Sequence, residues 1–166
     1  GARPISLIPI ATEVPEAIFR LHEIARAHER VSGMFWGMED LGAEIGARRT
    51  RHPGGEILDA FKTVRSLALF AASAAGIACV DTPFVDMSDT DGLVREATEA
   101  SWTGFSGKLA IHPSQIEAIN AAFSPSPEEI DEARTILRMA REHGAAFRYK
   151  GRMVDTPHLV AAEQLL

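Results

Sequence analysis

Four short apolar runs recur along this chain, and each is joined to a stretch with the periodicity of a helix. Ile5 to Ile10 (ISLIPI) precedes EVPEAIFRLHEIARAH, in which Ile18, Leu21 and Ile24-Ala25 share one helical face. Gly33 to Gly37 (GMFWG) precedes a short helix that opens near Asp40 and ends near Ile45. Ile77 to Val80 (IACV) follows ILDAFKTVRSLALFAASAAG, a long helix that Gly76 ends as a C-terminal stop. Leu109 to Ile111 (LAI) follows the amphipathic stretch DGLVREATEASWTG and leads into PSQIEAINAAF. Strand and helix alternate four times, which predicts parallel strands with right-handed crossovers.

The remainder reads as helical. SPSPEEIDEARTILRMAREHG opens with Ser126 as cap, Pro127 in the first turn and Glu128-Glu129 near the positive helix end. Its apolar positions Ile130, Ala133, Ile136-Leu137 and Ala140 keep helical spacing. FRYKGRMVD reads as a short strand or hairpin and TPHLVAAEQLL as a final helix. Residues 47–56 and 82–90 read as loops. The organisation expected is one βα region over 1–125 and a helical extension over 126–166.

A net charge of −6 argues against nucleic acid or an anionic membrane as the main partner. The single Cys79 precludes an intramolecular disulfide, and the cytosol is the expected compartment. No apolar run reaches the ~18 residues of a membrane span. The opening GARPISLIPIATE lacks the charged and cleavage regions of a signal peptide and reads like a chain cut in front of a strand.

In parallel α/β folds chemistry collects at the carboxyl ends of the strands, where loops vary without unpacking the core. Here those ends carry Glu13, Glu39-Asp40, Asp81 and His112, which are expected on one rim. Glu13 and Asp40 could share Mg²⁺, which takes one or two carboxylates and fills its other positions with waters and substrate oxygens. Zn²⁺ would want His or Cys. The residues alone also allow Asp40 to be a helix cap and Glu13 a first-turn charge. His112, fixed by Pro113, reads as a turn residue or a catalyst. Lys108 and the cluster Arg48, Arg49, Arg51 and His52 either meet an anion or are solvated. Asp86, Asp89 and Asp91 read as a solvated acidic loop, since no Glu closes a calcium site. There is no GxGxxG, Walker loop or GxSxG.

Four stretches carry more. "ATEVPEA", "WGMEDLGAEIGA", "GFSGKLAIHPSQIEAINAAFSPSPEEIDEA" and "GRMVDTP" together resemble the citrate lyase β-subunit-like branch of the aldolase/citrate lyase superfamily, which includes the malyl-CoA lyases. The resemblance covers nearly the whole chain, and its most specific part is GKxxIHPxQI with the downstream F-x-P-S. It implies a TIM-type (β/α)₈ barrel in an oligomer, an enzyme that makes or breaks a carbon–carbon bond between an acyl-CoA and a keto acid. By resemblance Glu13 and Asp40 would be the Mg²⁺ carboxylates, and the backbone at Gly37-Met38 would lie beside the keto acid. Asp155, in the match to a G-x-M-V-D-x-P lid, would act as acid/base on the acetyl carbon from a neighbouring subunit. Lys108, His112 and Pro113 would lie near the CoA entrance, and Glu39 would support the turn behind Asp40.

A complete barrel takes about 250 residues, and the match falls on its later half, strands five to eight. The earlier strands, which in the family supply an arginine that grips substrate, have no counterpart here. A half barrel leaves two sheet edges that invite pairing, so the chain reads as a truncated or proteolysed fragment, a half barrel that dimerises to restore closure, or an interrupted gene product with a separate N-terminal partner. A thioesterase acting on malyl-CoA and a non-catalytic half-barrel scaffold are the competing readings.

Overall fold

A computed structural model of the protein describes residues 5–166. They form two compact units, one ending at Phe123 and the other spanning Ser124–Leu166.

The first unit contains α1 (Pro15–Ile18), α2 (Leu21–Ala25), β1 (Gly33–Phe35), α3 (Glu39–Glu44), α4 (Asp59–Ala75), β2 (Ala78–Asp81), α5 (Thr90–Thr103), β3 (Gly107–Lys108) and α6 (Ile116–Ala122). The sheet is parallel in the order β1-β2-β3. The expected first strand joins the free edge of β1 through two parallel bridges, Leu7 to Val31 and Ile10 to Phe35. It is no continuous ladder, because Pro9 lies between the bridges and has no N–H to give. Four parallel segments therefore lie side by side in chain order.

Two expectations need correction. The helix expected after the first strand is broken into α1 and α2, with Arg20 outside the helical region at φ −125°, ψ 13°. The apolar face survives the break: Leu21 and Ala25 are buried, and Ile18 and Ile24 pack against the core. The fourth strand is Gly107–Lys108, not Leu109–Ile111. Leu109 still donates its N–H to the Asp81 carbonyl at 3.1 Å. The next donor the ladder needs belongs to Pro83, which has none, so pairing stops there.

Both long crossover helices end alike. At α4, Gly76 adopts φ 70° and Ile77 donates back to the Ala72 carbonyl; at α5, Gly104 adopts φ 102° and Phe105 donates back to Ala100. This left-handed stop turns each helix sharply into the following strand. The face of the sheet toward these helices is the core. Met34, Trp36 and Cys79 are enclosed with Phe61, Val64, Ala68 and Ala72. Full burial of each large side chain is worth about 1.5–3 kcal/mol.

The other face is different. Ile10, Phe35, Val80 and Gly107 form one row across four segments by register, and Ile8 and Ile10 remain 52% and 43% exposed. Parallel sheets are ordinarily covered on both faces.

The second unit holds α7 (Pro127–His143), a hairpin of β4 (Phe147–Tyr149) and β5 (Arg152–Val154), and α8 (Thr156–Leu165). Ser126 and Glu129 form a reciprocal capping box at α7. Lys150 and Gly151 make the hairpin loop at φ 48° and 81°, the two positive angles of a type I′ turn. The hairpin anticipated over FRYKGRMVD is thus present. No helix among the described residues is long and apolar enough to cross a membrane.

Candidate functional site

The carboxyl ends of the first segment and of β1 are fastened together by one side chain. Thr12 is wholly buried; its hydroxyl donates to the Gly37 carbonyl at 2.7 Å and accepts the Gly37 N–H at 2.8 Å. Glu13 follows Thr12 directly, and Asp40 lies three residues past Gly37 in the first turn of α3. Both carboxylates are exposed, and neither has a hydrogen-bonding or ionic partner among the described residues. Asp40 is not the cap of its helix, since Met38 holds that position. Two unpartnered acids therefore stand on neighbouring turns at one end of the sheet.

Around them, Met38 puts its side chain fully into the core, leaving only its backbone beside Gly37. Glu39 accepts a long contact, 3.4 Å, from the Thr50 hydroxyl. His112 is exposed, and its Nδ1 accepts the Ser114 N–H at 3.2 Å, capping a 3₁₀ turn over Pro113–Gln115. Behind that turn Gln115 is buried; its amide donates to the Phe84 carbonyl at 2.8 Å and accepts the Ile111 N–H at 2.9 Å. Gln115 so ties the turn after β3 to the loop after β2, a role that nothing in its sequence setting announces.

The expectation that Asp81 shares this rim is wrong. Its carboxylate has no exposure and points into the layer between sheet and helices. There it accepts Trp36 Nε1 at 2.8 Å, Arg65 Nε at 3.0 Å and Lys108 Nζ at 3.0 Å. Burial alone would raise its pKa, but Lys108 and Arg65 outweigh that penalty and hold it below the ordinary carboxylate value. Lys108 is neither solvated nor free to meet an anion. Its ammonium is fully enclosed, donating also to the Thr82 carbonyl at 2.7 Å and to Glu96 at 2.6 Å.

Arg51 departs from the expected basic patch in the same way. It pairs with Glu96 and lies 5.2 Å from the centre of the Phe84 ring, while Arg48 and Arg49 stay exposed. Asp89, expected as a solvated acid, caps α5 by accepting the Gly92 N–H at 2.7 Å. The charges thus divide into an exposed pair, Glu13 and Asp40, and a largely buried network of Arg51, Glu96, Lys108, Asp81 and Arg65, which the exposed Glu99 joins at its edge through Arg65.

The donor set of the exposed pair fits a hard cation. Among the described residues no three His, Cys, Asp or Glu side chains are grouped to hold a metal. Two carboxylates with open surroundings suit Mg²⁺, which keeps waters and takes ligand oxygens, better than an ion needing a full protein cage. In the second unit, Asp155 stands at the head of α8, half exposed, with His158 Nδ1 2.6 Å from its Oδ1.

The sequence pattern of the HpcH/HpaI aldolase/citrate lyase family matches residues 4–113. The chain belongs to that family. A citrate lyase subunit beta-like protein of Mycobacterium tuberculosis is 42% identical over 144 residues, covering 87% of this chain and 52% of the relative. A (3S)-malyl-CoA thioesterase of Cereibacter sphaeroides is 37% identical over 158 residues, covering 93% and 53%. The chain therefore spans about half the length of these curated relatives. Protein CitE from M. tuberculosis, solved in complex with magnesium, acetoacetate and coenzyme A, superposes with a TM-score of 0.85 at 37% identity. That match covers 98% of this chain and 60% of the other. The parallel sheet with its crossover helices is a portion of the TIM-barrel-like fold of this lyase family.

Proposed function

We propose that the chain is the later half of a magnesium-dependent carbon–carbon lyase. It would cleave, or form, a 3-hydroxyacyl-CoA such as malyl-, citramalyl- or citryl-CoA, giving an acyl-CoA and a keto acid. The observation that carries this reading is the unpartnered pair Glu13 and Asp40 on turns joined by the Thr12–Gly37 bonds. Relatives of the chain bear lyase names, and a similar structure holds magnesium, a keto acid and coenzyme A.

Glu13 and Asp40 hold the cation in this reading. Bound there beside a keto acid, Mg²⁺ supplies Lewis acidity to the oxygen whose negative charge grows as the carbon–carbon bond breaks. The Gly37-Met38 backbone lines the acid, its conformation fixed by Thr12. Asp155, from a neighbouring subunit, hands a proton to the α-carbon of the departing acyl thioester and removes it in the reverse direction. The exposed His112-Pro113 turn lies toward CoA; Lys108 supports that turn from inside, its ammonium being committed to Asp81 and Glu96.

The uncovered row of Ile10, Phe35 and Val80 is the inward face of a barrel whose other strands lie outside these residues. Earlier strands of a longer form of this polypeptide, a second copy or a separate N-terminal half close it. Activity belongs to that closed form.

The test is a pair of substitutions. Asp40→Ala abolishes Mg²⁺ binding by calorimetry and Mg²⁺-dependent cleavage in the closed form, whereas Glu39→Gln does less. Equal, small effects from both reject the assignment. The thioesterase relative motivates a second reading with the same residues. Products separate them: malyl-CoA yields acetyl-CoA and glyoxylate by the lyase route, malate and free CoA by hydrolysis.

A further inference from the structure

We propose that His158 is the positioning residue of Asp155, holding its carboxylate in one orientation for proton transfer at carbon; this rests on the acid/base reading of Asp155 above. Asp155 follows β5 in an extended conformation, φ −142°, ψ −172°, and is the N-cap of α8. His158 lies one helical turn further on, so ring and carboxylate face the same side. The Nδ1–Oδ1 separation is 2.6 Å. An ionised carboxylate only accepts, so Nδ1 carries the shared hydrogen. The longer approach of the Asp155 main-chain N to the same Nδ1, 3.3 Å, is then a contact and not a bond.

The surroundings show why this pair differs from an ordinary helix cap. Asp155 is the N-cap of α8, and at the position where Glu or Gln usually reaches back to the cap N–H there stands an imidazole that donates instead to the cap carboxylate. Both side chains remain about half exposed, 51% and 56%, so the pair is reachable from solvent. The support beneath is firm. Val154 and Ala162 are buried, and Lys150 bonds Glu132 at 2.9 Å, tying the hairpin loop to α7. The ring itself borders a cleft of about 250 Å³ between α7 and α8, with Glu129, Glu132, Ala133 and Ile136 on its other wall. The acids across that cleft are spoken for: Glu132 by Lys150 and Glu129 by the Ser126 main chain.

A carboxylate on a free χ angle presents its oxygens to a carbon acid only part of the time. Anchoring one oxygen on a ring that is itself set by α8 removes that freedom. Misplacement by about 1 Å can cost on the order of a hundredfold in rate.

The first experiment needs no activity. Long-range ¹⁵N NMR of the 166-residue chain reports the His158 tautomer. A hydrogen on Nδ1, lost in Asp155→Ala, which removes the acceptor, supports the bond; a ring protonated on Nε2 and indifferent to Asp155→Ala overturns it. The second measures exchange of the acyl-CoA α-hydrogen with D₂O in the closed protein. His158→Ala slows exchange about ten- to a hundredfold with KM unchanged, and His158→Asn, whose amide nitrogen stands where Nδ1 stood, restores most of it. A purely structural cap would lower thermal stability in both variants and leave exchange per folded molecule unaltered, which rejects the proposal. Normal NMR behaviour with no exchange in the unsubstituted protein sinks the acid/base reading of Asp155, and the positioning role falls with it.

Discussion

The Thr12 hydroxyl both donates to and accepts from the backbone of Gly37, at 2.7 and 2.8 Å, and this one side chain sets the spacing of the two turns that carry Glu13 and Asp40. Thr12→Val keeps the shape but strands the Gly37 N–H and carbonyl. Stability should fall by about 1–3 kcal/mol, read from urea midpoints. Mg²⁺ affinity should fall with it, because the turns lose their tie. Thr12→Ser should retain both properties. Unaltered Mg²⁺ binding in the valine variant would show that the turns are set by something else.

Asp81 offers a prediction in pH. Its folded pKa lies below the ordinary value because Lys108 and Arg65 overcome the cost of burial. A depressed carboxylate contributes stability that is fully present above its unfolded pKa, about 3.9, and lost as pH falls through the folded value. Asp81→Asn at neutral pH leaves Arg65 and Lys108 short of a counter-charge and should cost about 3–5 kcal/mol. The gap between the two proteins should narrow as pH falls below about 4, because the unfolded chain takes up the Asp81 proton there and the folded chain only at lower pH. A gap constant down to acid unfolding would contradict this.

What the sequence made legible follows from local rules. Alternation of apolar runs with helical periodicity located the parallel segments, Ser126 and Gly76 announced a cap and a stop through their own chemistry, and of the two readings of FRYKGRMVD, short strand or hairpin, the hairpin is the one present. Strand limits were read less well, because Pro83 acts on the ladder of a strand 25 residues away in the chain. The charged residues divided for the same reason. Asp81, Lys108 and Arg51 look like rim groups in one dimension, yet each finds partners 12 to 45 residues distant. Trp36 is the one clue within reach, since a buried indole needs an acceptor and strand register puts Asp81 beside it. Thr12 was invisible: a threonine at a strand end has no signature for a backbone partner 25 positions on.

Cys79 should be inert in the folded chain. Burial first, then the nearby Asp81 charge, push its thiol up to about 12, so almost none is thiolate at pH 8. Alkylation by iodoacetamide at that pH should proceed only through unfolding and slow with any stabilising condition. Rapid labelling of the native protein would place Cys79 outside the core.

The contact between Lys108 and Asp81 provides the most direct measure of whether the buried network is a structural unit. Lys108 is enclosed and shares two carboxylates, Asp81 at 3.0 Å and Glu96 at 2.6 Å. Lys108→Met leaves Asp81 with Arg65 and Trp36 alone, and should destabilise by about 3–5 kcal/mol. In the double variant with Asp81→Asn no opposite charge is orphaned at that contact, so the combined loss should be smaller than the sum of the single losses. A coupling of about 0.5–3 kcal/mol is the range for groups in direct contact. Simple additivity in urea denaturation would mean that the two charges do not sense each other. Lys108 would then be a solvated cation after all, and free to meet an anion at the strand ends.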